Sequence, residues 1–463
     1  MIFFFTHLHI LSSRSPDDDN PDEYDLIVIL LRYSTRQNHD ESERSIFRIC
    51  RANKSDGAPA TRLEVCGENL AFVILFPSST SSDNDYMCVF NWKTGTPKAV
   101  RGLILFDVAC ALNSRFTKVP FSAYDPALIF LREDILVFPN SYRRSLDVYH
   151  VPSSADLELN PASDSKSSDP IRTRLIHAFR LPELQEGCYI ASIEARCSPN
   201  PTATDCIPSY TPASTPYSND PAAAIIFLKM ALRNATDTSI RQTYNVVVPR
   251  KALLNLVPDG ILQDISKVIE ELRAVRSAGG EESTDDAELA ARLANASLQE
   301  LTVRDIVMQP WEKWGPPITR WFGTSRLSNM FIATTGGQRC IQYAKPEPTE
   351  GESAPQKPNT IHILDFNPCT LKRAWNGLGR PGPFRGPKCT ISIVGMMSTH
   401  GDAVEGSEAE NILPNGGLFS SDVVGRLPYV RCMSHEEWIY DGVIISEEML
   451  IGLKVIFNLF LFN

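Results

Sequence analysis

Residues 86–98, which read YMCVFNWKTGTPK, decide the fold class. The first half is a run of apolar and aromatic residues, as in a strand that is buried on both faces. Val89 and Phe90 are adjacent, so their side chains point to opposite faces of that strand. In the second half, Asn91 can accept backbone N–H groups in an Asx turn, and Gly95 can adopt the left-handed conformation that a short hairpin with a bulge requires. The segment predicts a hairpin that packs on both sides.

This hairpin segment has a partial copy later in the chain. Residues 89–99, VFNWKTGTPKA, align with residues 363–373, ILDFNPCTLKR, and the aligned pairs include Asn91 with Asp365. Cys369 stands where the first copy has its turn glycine, which predicts a different turn geometry. The copy predicts a second outer hairpin of the same kind.

A second motif recurs three times and consists of an acidic or amide pair followed by an apolar run. Its copies are CGENLAF at 66–72, LREDILV at 131–137 and ISEEMLI at 445–451. We place the pair where two strands reverse and take the apolar run as the returning strand. A strand unit that repeats along a chain is the signature of a propeller or a solenoid. In 66–98 the two motifs follow each other in the order of one four-stranded propeller blade.

The rest of the chain extends this pattern. Further β-rich runs lie between turn signals at 70–76, 127–131, 223–232, 243–248, 330–334 and 360–366. We therefore predict an all-β chain in which residues 24–457 form one irregular β-propeller of about six blades. Residues 128–150 are predicted to be an antiparallel hairpin pair. Helical periodicity at 260–276 predicts a helical insertion at 259–304 within this domain, and we expect 458–463 to be a hydrophobic tail.

The composition and the charge disfavour several classes of function. The formal net charge is −10, which argues against nucleic acid as a partner, because phosphate binding needs clustered Lys and Arg. The 11 cysteines are odd in number and scattered, without a C-x-x-C spacing, which predicts reduced thiols in a cytoplasmic or nuclear protein. The apolar C-terminal end contains Lys454, so its uncharged run is too short to span a bilayer. We expect a buried terminal strand there and no membrane association.

Five segments, taken in order, carry a resemblance to a known family. They are AFRLPELQEG at 178–187, TYNVVVPRKALL (a softer match) at 243–254, PWEKWGPPITRWF at 310–322, TIHILDFNP at 360–368 and YDGVIISEEMLIGLK at 440–454. Together they resemble uncharacterised fungal F-box proteins whose C-terminal part is propeller-like. The resemblance implies a substrate-receptor subunit of a ubiquitin ligase. In that class an F-box docks the Skp1 adaptor of a cullin complex, and the β domain binds a target protein.

The Skp1-docking part of that family is not found in the sequence. An F-box is a helical bundle of about 40–50 residues that begins near a Leu-Pro-x-Glu-Leu stretch. Residues 1–23 contain no such stretch, and LPEL at 181–184 lies in the middle of the chain. We therefore expect 1–23 to be an atypical N-terminal segment without an F-box, and we expect the chain not to bind Skp1. The target protein is not identified by the sequence.

The densest aromatic cluster supplies the first candidate partner-binding residues. It comprises Trp311, Trp314 and Trp321, with Arg320 beside them. Trp and Arg dominate the energetics of protein interfaces, so the cluster can be an interaction hot spot. Large rings can instead fill the gap between two blades, with the neighbouring prolines bracing a turn. We favour the second interpretation and keep the first open.

Two further candidates, Arg380 and Arg385, lie in and beside the loop GLGRPG at 377–382, which is locally basic. The loop satisfies G-x-G-x-x-G, but the prolines in and after it prevent the helix that a dinucleotide site needs. We therefore predict a flexible loop that binds no cofactor and can contact an anion or an acidic partner.

No catalytic residue, cofactor site or metal site is predicted. His7 and His9 form an H-x-H without a third ligand nearby, and neither a Walker loop nor a nucleophile elbow occurs. The first hypothesis is therefore a non-enzymatic protein–protein interaction module. Two alternatives stay open. One is a propeller enzyme such as a glycan-directed hydrolase, which needs carboxylates that converge in a central pocket, and the other is a secreted binding protein.

Overall fold

The structure is a computed structural model of the chain. It describes residues 22–30, 42–57, 59–76, 86–102, 127–152, 174–201, 220–237, 241–259, 307–323, 335–344, 360–378, 384–385, 389–395, 411–435, 442–445 and 450–453. Apart from its first residue, the predicted helical insertion at 259–304 lies outside the described residues. The same holds for residues 1–21, the strand predicted at 330–334 and the tail 458–463.

Short strands make up most of the described chain. In order they are β1 (Glu23–Ile29), β2 (Ile46–Asn53), β3 (Ala60–Cys66), β4 (Asn69–Leu75), β5 (Tyr86–Asn91), β6 (Thr96–Gly102), β7 (Ile129–Arg132), β8 (Ile135–Asn140), β9 (Ser145–His150), β10 (Arg174–Arg180), β11 (Cys188–Cys197), β12 (Ile225–Asn234), β13 (Arg241–Pro249), β14 (Val307–Gln309), β15 (Arg320–Gly323), β16 (Thr335–Gly336), β17 (Arg339–Ala344), β18 (Thr360–Asp365), β19 (Phe384–Arg385), β20 (Cys389–Val394), β21 (Asn411–Leu413), β22 (Val423–Gly425), β23 (Tyr429–Ser434), β24 (Gly442–Ile445) and β25 (Leu450–Leu453).

Helices are short and few among the described residues. The α-helices are α1 (Arg250–Leu254), α2 (Trp311–Ile318) and α3 (Pro368–Leu378), and single 3-10 turns occur at Lys54–Asp56 and Pro221–Ala223. The all-β fold class predicted from the sequence is therefore confirmed.

The chain divides into two compact units that are each built from small sheets. Unit 1 comprises Met1–Arg180, Pro201–Ser214 and Val257–Gln309, and unit 2 comprises Leu181–Asn200, Thr215–Leu256 and Pro310–Asn463. The described part of unit 1 has the strand orders β1-β2, β3-β4-β5-β6 and β14-β10-β9-β8-β7. Neighbouring strands in these sheets are antiparallel, except that β10 and β14 are parallel. The single domain predicted for 24–457 and its number of blades stay predictions.

The sheet β3-β4-β5-β6 has the consecutive antiparallel order of one propeller blade. Every residue of β4 is buried. Alternate residues of β4 belong to two different hydrophobic clusters, one with Ala71, Val73 and Leu75 and the other with Leu70, Phe72 and Ile74. On β5, Val89 belongs to the first cluster and Phe90 to the second, as their adjacency predicts. The sheet is therefore packed on both faces.

The turn between β5 and β6 has the predicted geometry. The side-chain oxygen of Asn91 accepts hydrogen bonds from the backbone N–H of Lys93 at 2.9 Å and of Thr94 at 3.3 Å, which is an Asx turn. Gly95 has a φ of +71°, in the left-handed region that favours glycine. The register of β5 against β6 also shifts between Val89 and Phe90, where Lys98 is the extra residue of a β-bulge on β6.

Trp92 connects this turn to the turn that precedes β4 through two hydrogen bonds. Its backbone N–H donates to the carbonyl oxygen of Glu68 at 3.0 Å, and its indole N–H donates to that of Gly67 at 2.9 Å. The ring is buried in the same hydrophobic cluster as Phe47 and Phe90. Trp92 is therefore part of the scaffold.

The acidic-pair motif lies at the turn of a hairpin in its first two copies, and in the third copy two antiparallel strands flank the acidic pair, which lies outside the described residues. Gly67-Glu68 is the turn between β3 and β4, Glu133-Asp134 is the turn between β7 and β8, and β24 pairs with β25 across the third copy. Within unit 1 the first two turns contact each other. The backbone N–H of Glu68 donates to the Glu133 carboxylate at 3.2 Å, and the Asn69 amide donates to the Glu133 carbonyl oxygen at 2.7 Å. In unit 1 the motif therefore joins consecutive sheets.

Residues 128–150 form the predicted antiparallel hairpin pair, β7-β8 and β8-β9. A buried carboxylate holds the second hairpin together. Asp147 is fully buried and accepts hydrogen bonds from the Ser145 hydroxyl at 2.6 Å and from the Asn140 amide at 3.1 Å. The Arg143 guanidinium lies 3.8 Å from the same carboxylate. This network closes the turn between β8 and β9.

The described part of unit 2 also consists of antiparallel sheets. Their orders are β11-β12-β13-β15, β16-β17-β18-β23-β20-β19, β21-β22 and β24-β25. The first two share a hydrophobic cluster to which Ile225 and Val247 contribute from one sheet and Leu364 and Tyr429 from the other. On the terminal hairpin, Leu450 is 40% and Ile451 44% exposed, so β25 is a strand but not the buried strand that we expected.

The second copy of the opening segment begins as predicted. β18 ends at Asp365, whose carboxylate accepts a hydrogen bond from the backbone N–H of Asn367 at 2.9 Å. This bond reproduces the contact of Asn91 with the residue two positions later. The strand part of the repeat at 363–373 is therefore confirmed.

The continuation of this copy is a helix and not a hairpin. Asn367 accepts a hydrogen bond from the backbone N–H of Cys369 at 2.8 Å, as an N-cap does, and Pro368 is the first residue of α3. Asn at the cap and Pro at the first position both favour a helix start. The outer hairpin predicted at 363–373 is wrong for this reason. The helix also includes Gly377 and Leu378, so the flexible loop predicted at 377–382 is wrong for these two residues. Residues 379–383 lie outside the described residues.

Candidate interaction surface

The four candidates of the aromatic cluster lie inside unit 2. Trp311 and Trp314 are on α2, and Arg320 and Trp321 are on β15. Trp311 is 6% exposed, Trp314 is 1% exposed, and Arg320 and Trp321 are 0% exposed. Such burial leaves these side chains almost no surface to offer to a partner.

The rings of this cluster pack edge to face. The ring centroids of Trp311 and Trp314 are 4.9 Å apart, those of Trp311 and Trp321 are 5.5 Å apart, and Phe419 lies 5.9 Å from Trp321. These are the distances of favourable aromatic pairs. The packing agrees with the interpretation that the rings fill space in the core. A partner-binding role for these residues stays a prediction.

Arg320 stands over the ring of Tyr429, with its guanidinium carbon 5.4 Å from the ring centroid, which is a cation–π contact. The prolines of this region differ from expectation, because Pro316 and Pro317 lie inside α2 and do not brace a turn. The neighbouring Gly315 makes room for the Trp311 ring, which a Cβ at this position would overlap.

Of the two basic candidates, Arg385 lies apart from this cluster. Arg385 lies on β19, at the edge of the six-stranded sheet, where it pairs with Thr390. Arg380 lies outside the described residues. The structure thus brings together the four candidates of the aromatic cluster and places Arg385 on a different sheet.

Three carboxylates are buried among the described residues, and each one stabilises the local chain. Asp147 holds the β8–β9 turn, and Asp365 begins the cap of α3 and forms an ion pair with Arg339 at 3.0 Å. Asp56 accepts a hydrogen bond from the backbone N–H of Asn53 at 3.3 Å and caps a 3-10 turn. These contacts are structural ones.

The described cysteines are poor nucleophiles where they are buried. Burial, and secondarily the neighbouring Asp25, raises the pKa of Cys50 to about 12. Burial also raises the pKa of Cys340, with Asp365 contributing. The thiolate is the reactive form, so a raised pKa suppresses reactivity. The described cysteines form no disulfide with one another.

Two described histidines have a lowered pKa, which favours the neutral form of the imidazole. Burial lowers the pKa of His177, although a hydrogen bond to Gln309 at 3.3 Å opposes the shift. Burial and the nearby Arg431 lower the pKa of His362. Within the described ranges, no group of three or more His, Cys, Asp or Glu could hold a metal ion. The helices found in those ranges are also too short or too polar to cross a membrane.

One face of α3 presents cations and an indole to solvent. Leu371 is buried, whereas Lys372 and Arg373 are exposed. Trp375 lies one turn after Leu371 and is 37% exposed, at the border between the buried and the solvent side of the helix. Asn376 is exposed beside it. We call Lys372, Arg373, Trp375 and Asn376 the α3 face.

The sequence predictions missed the α3 face because the repeat alignment assigned its residues to a hairpin. A helix signal was nevertheless present in the sequence. Asn367-Pro368 is a typical N-cap and first position, and Leu371, Trp375 and Leu378 follow at helical spacing.

Comparison with known proteins does not assign this chain to a class of protein. No protein family matches the chain, and no curated protein matches it. Among solved structures it is similar to the crystal structure of the WD40 domain of SCAP from fission yeast, with a TM-score of 0.28 and 8% sequence identity. That similarity covers 89% of this chain and 67% of the other. Values this low do not establish a shared fold. The sheets themselves define an all-β protein.

Proposed function

We propose that the chain is a non-enzymatic protein–protein interaction module, built on an irregular β-propeller and related to the substrate-recognition part of fungal F-box receptors. The observation that carries the proposal is the sheet β3-β4-β5-β6. It has the strand order of a propeller blade, and both of its faces are buried in separate hydrophobic clusters. The turn contact between this sheet and the next one along the chain supports a repeated arrangement.

A scaffold of this kind leaves turns and insertions as its interaction surface. Rigid sheets position loops, and binding residues are therefore found disproportionately on loops. Tyr142, in the turn between β8 and β9, is 51% exposed, and Ile412 on β21 is 53% exposed. These two residues and the α3 face are positions where a partner reaches the chain.

Site-specific photo-crosslinking tests the interaction function. A photo-crosslinking amino acid is placed at Tyr142 or at Ile412, with buried Phe130 as the matched control position. In cells of the source organism we expect a discrete crosslinked protein from the exposed positions and none from position 130. Excess unmodified chain should compete it away, and the partner, once identified and purified, should bind the purified chain. The proposal fails if no exposed position gives a competed crosslink.

The relation to F-box receptors has its own test. We propose that the 463-residue chain does not dock Skp1 by itself. Gel filtration with light scattering of the purified chain mixed with Skp1 should show two separate species, while an intact F-box protein forms a complex in parallel. A stable stoichiometric complex of this chain with Skp1 would refute this part of the proposal.

A further inference from the structure

We propose that Cys389 and Cys432 form a reversible oxidation site, at which a low-molecular-weight disulfide such as glutathione disulfide converts the two thiols into an intrachain disulfide. The site lies within unit 2, on neighbouring strands of the six-stranded sheet. Neither thiol has a role in the proposed function, so the proposal goes beyond that function and does not depend on it.

The strand register places the two cysteines on one face of the sheet. In the antiparallel pair of β20 and β23, Cys389 lies opposite Ser434. Two positions along each strand, Ile391 lies opposite Cys432. Cys389 and Cys432 are therefore diagonal neighbours, and side chains two positions apart on paired strands share a face. Their thiols are close enough to share a hydrogen bond. The sheet thus presents a dithiol that is already assembled.

Solvent access distinguishes this pair from another pair of neighbouring thiols. Cys389 and Cys432 are each partly exposed and carry no disulfide. In unit 1, Cys88 is 2% exposed, and burial, with a smaller effect of the nearby Cys50, raises the pKa of Cys88 well above its usual range. A buried thiol that keeps its proton does not react with an external disulfide. Access therefore selects the pair in unit 2.

Closure of the disulfide requires a small shift of β20. The Cα atoms of diagonal neighbours are about 7–8 Å apart, whereas a disulfide joins Cα atoms less than about 7 Å apart. β20 lies next to the edge of its sheet, where its outer neighbour among the described strands, β19, is two residues long and pairs with Thr390 and Ile391. Such a strand can move toward β23. A disulfide closed under strain is readily reduced, which makes the oxidation reversible.

The exchange proceeds in two steps through Cys389. The thiolate of Cys389 attacks one sulfur of glutathione disulfide, which forms a mixed disulfide and releases one glutathione thiolate. Cys432 then gives its proton to solvent and attacks the sulfur of Cys389, which releases the second glutathione. The two protein thiols together lose two electrons and two protons, and glutathione disulfide is reduced to two molecules of glutathione.

Cys432 takes the second step because it holds its proton more tightly. Burial, the hydrogen bond to Cys389 and the charge of Cys389 raise the pKa of Cys432 to about 11. The thiolate is the attacking form, so Cys432 reacts slowly with an external disulfide. Once Cys389 carries the mixed disulfide, it has no thiolate that holds the proton on Cys432, and the second step follows.

Oxidation of the purified full chain tests the site. The chain is incubated with glutathione disulfide at about pH 8 and mapped by mass spectrometry of peptides without reduction. We expect one dominant linked pair that joins Cys389 to Cys432 and is lost on treatment with dithiothreitol. In Cys432→Ser, glutathione should stay on Cys389 as the mixed disulfide. In Cys389→Ser, glutathione should reach Cys432 at least about tenfold more slowly.

Two controls show whether the link depends on the fold. Cys369 is an exposed cysteine in the same unit, and Cys369→Ser should leave the link unchanged. The same oxidation in urea should give a mixture of pairs. The proposal is overturned if Cys389 links to Cys369 as often as to Cys432, or if the link is no more frequent in the folded chain than in urea.

Phenylarsine oxide tests the proximity of the two thiols without any oxidation, because its arsenic binds two thiols and releases water. It should bind the unmodified chain at least about a hundredfold more tightly than Cys389→Ser or Cys432→Ser, since the second thiol acts at a high effective concentration. Circular dichroism should show that both variants keep the β fold. Equal binding by all three chains would overturn the proposal. Tight arsenical binding without a link driven by glutathione disulfide would show a dithiol that does not oxidise, and it would overturn the proposal as well.

Discussion

Replacing Trp92 with Phe and with Ala separates the two ways in which this side chain stabilises the sheet β3-β4-β5-β6. Its ring is 5% exposed, and its indole N–H donates to the carbonyl oxygen of Gly67 at 2.9 Å. Trp92→Phe keeps most of the ring and removes the donor. A hydrogen bond of this kind contributes about 0.5–1.5 kcal/mol net, and some packing volume is lost as well, so the expected destabilisation is about 1–2 kcal/mol.

Trp92→Ala removes the ring itself from the cluster that contains Phe47 and Phe90. Truncation of a buried Trp costs about 3–5 kcal/mol, because the transfer free energy is lost and a cavity remains. Urea unfolding followed by circular dichroism measures both variants without relying on tryptophan fluorescence. Trp375→Ala on the α3 face is the matched control, and it should lower the free energy of unfolding by a smaller amount, about 1–2 kcal/mol, because its indole is 37% exposed. The reasoning is refuted if Trp92→Ala costs no more than this control, or if Trp92→Phe costs as much as Trp92→Ala.

Three further predictions concern turns and thiols. Gly95→Ala should destabilise the fold by about 1–2 kcal/mol in urea unfolding, because the φ of +71° is left-handed, and an unchanged midpoint would contradict that conformation. Asp147→Ala should lower the free energy of unfolding by about 1–3 kcal/mol, because the Ser145 hydroxyl and the Asn140 amide lose their hydrogen-bond acceptor. A change near zero would show that these hydrogen bonds do not stabilise the turn. At about pH 8, iodoacetamide should label exposed Cys369 well before Cys50, whose pKa burial raises to about 12, and peptide mapping that finds equal rates would contradict this burial.

The opening segment was predictable because its structure is decided locally. The Asx turn at Asn91 and the left-handed glycine at Gly95 are set within five consecutive residues. The opposite faces of Val89 and Phe90 follow from the two-residue period of a strand. The conformation of residues 86–98 therefore needed no knowledge of distant contacts.

The second copy shows where repeat alignment fails. Asp365 repeats the capping contact of Asn91, so the two segments match up to the end of the strand. The next residues, Asn367 and Pro368, favour a helix start, and this local preference overrides the similarity further along. The alignment used pairs such as Lys98 with Lys372, and the match of one such polar side chain does not distinguish a strand from a helix.

The burial of the tryptophan cluster could not be read from composition. A dense group of Trp and Arg is typical of hot spots and of cores. What decides between them is contact with residues far away in the sequence, such as Phe419 beside Trp321 and Tyr429 beneath Arg320. Trp375, in contrast, has no other tryptophan near it in the sequence, so the search for dense aromatic clusters did not select it.

The central claim is that the sheet β3-β4-β5-β6 is packed on both faces, as a propeller blade is. The most direct test is the free energy of unfolding of Val89→Ala and of Phe90→Ala, measured separately. Val89 is 0% and Phe90 is 3% exposed, and they belong to different hydrophobic clusters. We predict losses of about 2 kcal/mol for Val89→Ala and about 3–5 kcal/mol for Phe90→Ala. A loss below about 0.5 kcal/mol for either one would mean that one face of the sheet is open to solvent, and it would contradict the claim.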